Sequence, residues 1–368
     1  MFLADLLFFV PNLQAMTSVS DITITKIERS KLHNIHLENI PFGKYFTDHM
    51  LEADFENSEW KNVEIKPYQP LLLEPSTSAL HYGQAIFEGM KAFRSEKGEA
   101  FIFRPYENFK RFNLSAQRMN MPEISEEIFI EGMRQLIELD KNWIPVKEDH
   151  SLYIRPLMFA TDNMLGVKPS DTYKFLILLS PAGPYYSAPM KIAVEEKYTR
   201  AAPGGVGFAK NAGNYGASML PSTQAKVQGY DQVLWTDAFE HKWLQEVGMM
   251  NVGFIINQTF VTPSLEDTIL KGVTRDSVLT ILKDMDIPTE ERRISINEVL
   301  SEYEKGNLKE VFGMGTAAVI SFIEELKYKD FIMTFDTSGF FIAKKLKQKL
   351  NAIREGKEED VYGWMFKV

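Results

Sequence analysis

Cysteine is absent from the 368 residues, which excludes disulfides, thiolate metal sites and cysteine nucleophiles. That absence fits a reducing compartment, and a cytoplasmic protein is expected. Histidine is sparse. His33, His36, His49, His81, His150 and His241 are scattered, and no His-Glu-x-x-His pattern occurs, so no metal site is expected. Basic runs are missing too. At a net charge of −9 the chain offers no basic face to nucleic acid or an anionic membrane. The opening stretch MFLADLLFFV is interrupted by Asp5, lacks a basic flank and is too short to span a bilayer. Residues 1–16 are therefore expected to be a disordered extension. The patterns G-x-x-x-x-G-K-[ST] and G-x-S-x-G do not occur, which removes a P-loop and a nucleophile elbow.

What remains is an ordinary globular balance, 45% hydrophobic and 25% charged, in a chain long enough for about two to three domains. Strands are expected at Ala100–Arg104, Ser151–Phe159 and Tyr173–Ser180, and helices at Glu107–Met119 and from Ser125 onward. In the second helix Phe129, Met133, Leu136 and Ile137 recur at i, i+4, i+7 and i+8. The segment SPAGPYYSAPM marks a linker. Beyond it come strands at KIAVEE and DQVLWTD, a hairpin turning at Asn257–Gln258 and a helix from Thr274. ERRISI, a further helix, EVFGMG, AAVISFIEEL and a last helix from about Phe340 to Ile353 follow. Hairpins outnumber βαβ units, so the fold class is α+β (mixed α/β) in two domains. The expected division is a small N-terminal domain over 17–182, an interdomain loop over 183–190 and a larger domain over 191–368.

The chemistry concentrates in two glycine-marked runs. Lys210 stands in FAKNAGNYGAS, with glycines at 204, 205, 207, 213 and 216, a density that implies tight backbone close to a ligand. A lysine in such a place is either a surface loop residue or an amine nucleophile toward an aldehyde. Glu246 follows in LQEVGMMN. It is either a strand-edge carboxylate or the partner of a protonated ring nitrogen. Tyr215 either hydrogen-bonds a phenolic oxygen or packs. Thr274 reads as the N-cap of its helix, which would leave amides near Val273 and Thr274 facing an anion. Gly313–Ala318, GMGTAA, formally matches a dinucleotide fingerprint, but strand-like AAVISF follows it where a helix is required. A turn whose amides bind an anion survives that objection. Arg111, on a helix beside Phe112, has the fork to hold a phosphate. Arg155, in the strand LYIRP, needs an anionic partner, structural or substrate-borne.

Taken jointly, FGKYFTDHM, HYGQAIFEGMKAFR, RPYENFKRFNLSAQRMNMP, LYIRP, LGVKPS, KNAGNYG, LQEVGMMN, LKGVTR and VFGMGTAA resemble the branched-chain amino-acid aminotransferases, pyridoxal-phosphate enzymes of fold type IV. The likeness runs from Phe42 to the C-terminus. It implies reversible transamination of leucine, isoleucine or valine with 2-oxoglutarate, giving branched 2-oxo acids and glutamate. By the same resemblance Lys210 forms the internal aldimine with pyridoxal 5′-phosphate and shuttles the α-proton. Glu246 pairs with the pyridine nitrogen and Tyr215 with the phenolate oxygen. Arg111, the backbone of Val273 and Thr274, and Thr316 hold the phosphate. The amides of Thr316 and Ala317 take the substrate carboxylate. Phe42, Tyr82, Phe87, Tyr153 and Val167 line the side-chain pocket, with Arg155 and Tyr153 serving the distal carboxylate of glutamate. A homodimer is implied, with Val167 coming from the neighbouring subunit. Some relatives carry a Cys-x-x-Cys after the GTA turn; here Ala318, Val319, Ile320 and Ser321 stand there, so thiol regulation at that place is excluded. The rival activities within fold type IV are D-amino-acid transamination and aminodeoxychorismate lysis. A binding protein that kept the scaffold without the cofactor is the rival of a different class.

Overall fold

The computed structural model describes residues 22–37, 40–95, 97–186 and 188–368; the extension expected over 1–16 lies outside the described residues. The β-branched and aromatic run from 151 to 182 builds the centre of the first sheet. Ser151–Ala160 and Tyr173–Ala182 pair antiparallel over their whole length, Ser151 opposite Ala182 and Ala160 opposite Tyr173. The order across this sheet is Thr23–Ile24, Glu59–Pro67, His49–Glu56, Tyr173–Ala182, Ser151–Ala160, Met90–Arg94, Ala100–Phe103 and Met365–Lys367. Ala85–Phe87 runs beside Leu157–Phe159. Helices Pro105–Arg118 and Gly132–Leu139 share this sheet's core, where Phe112, Phe129 and Phe175 are wholly buried. The helix expected from Ser125 is interrupted: Ser125 Oγ accepts the Ile128 N–H, and a π-turn spans Glu127–Glu131 before the α-helix begins at Gly132. Its apolar stripe is nevertheless buried as the spacing required, with Phe129, Met133, Leu136 and Ile137 at 0% exposure.

The second sheet follows the linker. Its order is Leu244–Val247, Gln232–Thr236, Met190–Val194, Val319–Tyr328, Leu308–Gly315, Met250–Ile256, Thr259–Thr262 and Thr289–Glu291. Leu244–Val247 also pairs with Met250–Ile256, which closes the first six of these strands into a ring. The hairpin turn falls at Asn257 and Gln258 with φ of 48° and 69°, the left-handed pair that a two-residue turn of this twist requires. ERRISI is not a strand. Pairing with Phe260–Thr262 is taken one turn earlier by Thr289–Glu291, and Ser295 instead caps helix Ile296–Glu304 by accepting the Glu298 N–H at 3.1 Å. The GMGTAA stretch ends Leu308–Gly315 and turns directly into its antiparallel neighbour. No helix starts there, so a dinucleotide cradle has no place.

We propose that the two domains divide at 183–190, the connection between Tyr173–Ala182 and Met190–Val194. The chain's last strand, Met365–Lys367, returns to pair with Ala100–Phe103 of the first sheet. Phe93 and Phe103 of that sheet also pack in one cluster with helices Val273–Asp284 and Ile342–Arg354. The cleft between the sheets is thereby held from behind.

Helix Ile342–Arg354 starts on a carboxylate rather than a conventional cap. Glu310, buried in the second sheet, accepts the N–H groups of Phe341, Ile342 and Ala343 at 2.6, 2.9 and 2.7 Å. Three helix-end donors and the helix dipole meet one buried anion. Glu310→Ala should therefore cost about 3 kcal/mol, seen as a lower urea midpoint at unchanged slope. Glu310→Gln, which keeps one acceptor oxygen, should cost less.

Candidate active site

Lys210 reaches its position because its backbone and that of Asn211 are tied to strand Ala85–Phe87 and to helix Pro105–Arg118. Phe87 N–H donates to Lys210 O at 3.0 Å, Asn211 bridges to Ile86, and Lys210 N–H donates to Ser115 Oγ at 2.9 Å. Asn211 then caps helix Ala212–Val227 by accepting the Asn214 N–H. One turn into that helix the Tyr215 hydroxyl lies 2.6 Å from Lys210 Nζ. The amine stands over the rings of Phe87 and Tyr215, 4.9 and 5.2 Å from their centroids.

Arg111 stands on the same helix, Pro105–Arg118, one turn before the Ser115 that holds Lys210. Its Nε and Nη2 donate to the two oxygens of Glu88 at 2.7 and 2.8 Å, and Nη1 donates to Lys271 O at 2.7 Å. Glu88 is fully buried and also accepts Asn108 Nδ2 at 2.8 Å and the Gly89 N–H at 3.1 Å. Burial opposes its charge, but the Arg111 guanidinium and these donors outweigh burial and hold the carboxyl below the usual carboxylate range. Glu246 behaves in the opposite way. Burial pushes its carboxyl up, and Arg200 at 3.4 Å together with the Leu270 N–H at 2.7 Å only partly offsets this.

The anion-facing end is the start of helix Val273–Asp284. The N-cap is Gly272, not Thr274 as the sequence suggested. Gly272 is extended and has no side chain to occupy the first amides of the helix. A Cβ there would lie 2.0 Å from Asn251 Oδ1, whose amide donates to Leu270 O, so glycine is dictated by close approach. Across from it lies the turn of Thr316 and Ala317, whose Ala317 carbonyl accepts Lys91 Nζ at 2.8 Å.

These parts surround one cleft of about 860 Å³, counting its open mouth. Phe42, Phe87, Arg111, Tyr153, Arg155, Lys210, Tyr215, Glu246, Val273, Thr274, Thr316 and Ala317 all line it. Arg155 Nη2 donates to the Tyr153 hydroxyl at 3.0 Å, and its guanidinium stacks over Phe87 and Tyr153. Its Nε is buried without a partner, a donor placed for an anion that enters the cleft. Gly89 makes room for this tyrosine: a Cβ there would fall 2.1 Å from the Tyr153 hydroxyl. Tyr82 and Val167 do not line the cleft. Val167 is 85% exposed, and the Tyr82 hydroxyl donates to Leu165 O at 2.5 Å. Three basic side chains (Arg111, Arg155 and Lys210) thus line the cleft with one carboxylate, Glu246, an excess suited to an anionic cofactor and substrate.

Sequence reasoning missed Glu88, Arg200 and the tyrosine pair Tyr185 and Tyr186. Glu88 had a signal, a lone carboxylate inside the apolar stretch AIFEGM. The tyrosines stood in plain view within the proline-rich linker, where composition argued for a spacer; in the fold they line the cleft, and Tyr185 packs edge-on against Phe42.

The model of the amino-transferase class IV family matches residues 85–326. A probable branched-chain-amino-acid aminotransferase of Staphylococcus epidermidis is 49% identical over 336 residues, 90% of this chain and 94% of that one. Branched-chain-amino-acid transaminase 1 of Bacillus subtilis is 47% identical with the same coverage. The crystal structure of the Escherichia coli branched-chain amino acid aminotransferase superposes with a TM-score of 0.72 at 27% identity, covering 87% of this chain and 98% of the other. The branched-chain aminotransferase of the thermophilic archaeon Thermoproteus uzoniensis, solved with norvaline, shares the fold at a TM-score of 0.72 and 23% identity, covering 87% and 99%.

Glu88→Gln leaves Arg111 buried with one formal charge unanswered and should cost about 3 kcal/mol at pH 7. Because the folded carboxyl titrates below its ordinary value of 4.5, the stabilisation is complete above that pH. It is lost as pH falls through the depressed value. The gap in unfolding free energy between wild type and variant, followed by urea titration from pH 7 to pH 3, should therefore narrow only below about pH 4.5.

Proposed function

Because this chain belongs to the class IV aminotransferases, we propose that it exchanges the amino group of leucine, isoleucine or valine with 2-oxoglutarate, using pyridoxal 5′-phosphate. The observation that carries this reading is the convergence of Lys210, Tyr215, Glu246, Arg111 and the bare helix start at Gly272 on one cleft. The names of the relatives at 46–49% identity support the substrate class.

The residues present fit the cofactor. Arg111 keeps guanidinium donors beyond the three bonds it makes to protein. With the amides of Val273 and Thr274 and the Thr316 hydroxyl, it would hold the phosphate. Glu246, under-compensated in its buried place, would pair with a ring nitrogen that carries a proton. Tyr215 would donate to the ring oxygen. When bound, the cofactor supplies an aldehyde that accepts the amino group and a protonated ring that draws electrons from the substrate α-carbon.

The chain's own residues do the rest. Lys210 Nζ, on a short tether above the Phe87 ring, takes the α-proton from the substrate and returns it on the other side of the reaction. The amides of Thr316 and Ala317 receive the α-carboxylate. Phe42, Phe87 and Tyr153 provide apolar wall for a branched side chain. Arg155 and the Tyr153 hydroxyl bind the distal carboxylate of glutamate when that substrate takes its turn. Tyr82 ties down the segment carrying Val167 through Leu165 O. In a homodimer, Val167 would close the pocket from the neighbouring subunit. We assign the enzyme to the cytoplasm on its lack of cysteine.

Turnover of L-leucine with 2-oxoglutarate by the purified protein tests the reading, and activity on D-alanine in place of L-leucine would overturn it. Lys210→Ala should lower turnover roughly ten-thousand-fold and abolish the yellow absorbance that borohydride bleaches. Arg155→Met should raise KM for 2-oxoglutarate about 10- to 100-fold while leaving KM for leucine within about 3-fold, since a charge-assisted pair is worth about 1.5–3 kcal/mol.

A further inference from the structure

Behind the anion end of the cleft lies a second, much smaller space that the proposed reaction does not use. It has about 10 Å³ of room for the centre of a water-sized guest and is walled by Lys91, Asn108, Phe103, Thr274, Thr316 and Arg354. Thr274 and Thr316 line both this space and the main cleft.

Its two cations are unusual in having no ion pair among the described residues; Asp149 acts on Lys91 only at longer range. Arg354, at the end of helix Ile342–Arg354, is 3% exposed, and its guanidinium stacks 4.1 Å from the Phe103 centroid. Its Nε and Nη1 are buried and have no hydrogen-bond partner. Lys91, 6% exposed, gives one of its three N–H donors to Ala317 O. Among the described residues no carboxylate comes within ion-pair distance of either. Glu88, the nearest candidate by sequence, is taken up by Arg111, and Asp276 by Arg104. Burial, helped by the charge of Arg354, pulls Lys91 down to about 7, with Asp149 opposing it; burial, helped by Arg104, pulls Arg354 down to about 9. A guanidinium still holds its proton near neutrality, so a buried positive charge stands there uncompensated.

We propose that this enclosed space is a binding site for one monovalent, halide-sized anion held between Lys91 and Arg354. The chemistry of the walls selects it. A water molecule would leave both cations unanswered, whereas phosphate or a carboxylate ligand would demand more room than a halide does. A bound halide accepts from Arg354 Nε and Nη1 and from Lys91 Nζ, while the Thr316 hydroxyl stays with the cleft. By holding Lys91 charged it strengthens the bond to Ala317 O. The ion therefore stiffens the turn whose amides face the cleft, without entering the cleft.

Bromide is the probe. Crystals soaked in sodium bromide should show a bromine anomalous peak between Lys91 and Arg354. The protein in solution should melt roughly 3 °C higher in sodium bromide than in sodium gluconate of equal ionic strength. Arg354→Met should lose both the peak and the halide-specific part of the rise. A cavity without anomalous density, or a rise of equal size in Arg354→Met, overturns the site. If that variant does not fold, the anomalous peak and the bromide-against-gluconate comparison in the natural protein still decide. None of these readouts uses turnover, so they stand or fall separately from the transamination.

Discussion

The buried pair of Glu88 and Arg111 is the constraint on which the site depends. It joins a residue at the end of a first-sheet strand to a helix, and through Arg111 Nη1 to the Lys271 carbonyl just ahead of the helix that starts at Val273. An ion pair taken wholly out of water gives little unless every remaining lone pair and proton is also satisfied. Here the second carboxylate oxygen takes Asn108 and the Gly89 amide as well. The arrangement leaves Arg111 no freedom. Its fork is oriented before any ligand arrives, so the ordering cost of an anion site is borne by folding rather than by binding.

The buried carboxylates Glu246, in the cleft, and Glu88, behind Arg111, show how environment divides labour between identical groups. Glu88 meets a bidentate guanidinium and two further donors, and its charge is secured. Glu246 has one backbone amide and an arginine at 3.4 Å. That arginine spends Nη2 on the carbonyls of Thr268 and Gly207. Glu246 is consequently under-compensated. Environments that push paired titratable groups apart mark assigned roles: a structural anchor on one side and, in the proposed reading, a partner for the cofactor on the other.

Much of this was legible because the deciding signals are local. The period-two runs around 151–182, the Asn257–Gln258 turn and the small-residue company of Lys210 need no tertiary knowledge. Lys210, Tyr215, Glu246 and Arg111 do meet in one cleft as the resemblance implied. What was not legible depends on approach in space. Gly272 displaced Thr274 as the helix cap because Asn251 comes within 2.0 Å of where a Cβ would stand, and nothing in KGVTRD announces that neighbour. ERRISI reads like a strand at Ile294 and Ile296, but the pairing edge is claimed by Thr289–Glu291, which ends on the first residue of that run. Tyr185 and Tyr186 carry the chemistry of a pocket and the flanking residues of a linker, and composition favoured the linker. Tyr82 was assigned to the pocket by resemblance, yet it does not line the cleft of its own protomer.

A pocket that must take leucine in one half of a cycle and glutamate in the other faces opposing demands, since a buried charge repels an aliphatic side chain and an apolar wall rejects a carboxylate. Arg155 reconciles them by the way it is held. Its guanidinium lies flat against Phe87 and Tyr153, 4.7 and 5.3 Å from their centroids, so ring faces compensate its charge while no carboxylate is present. In the proposed reaction an aliphatic side chain would meet these rings, whereas a carboxylate would meet the Arg155 guanidinium and the Tyr153 hydroxyl. The same two aromatic residues would then serve both substrates. For this to hold, Tyr153 must sit where it does, and its hydroxyl occupies the space that a Cβ on Gly89 would fill. One missing methyl group beside the Glu88 anchor thus couples the phosphate end of the cleft to the end that reads the side chain.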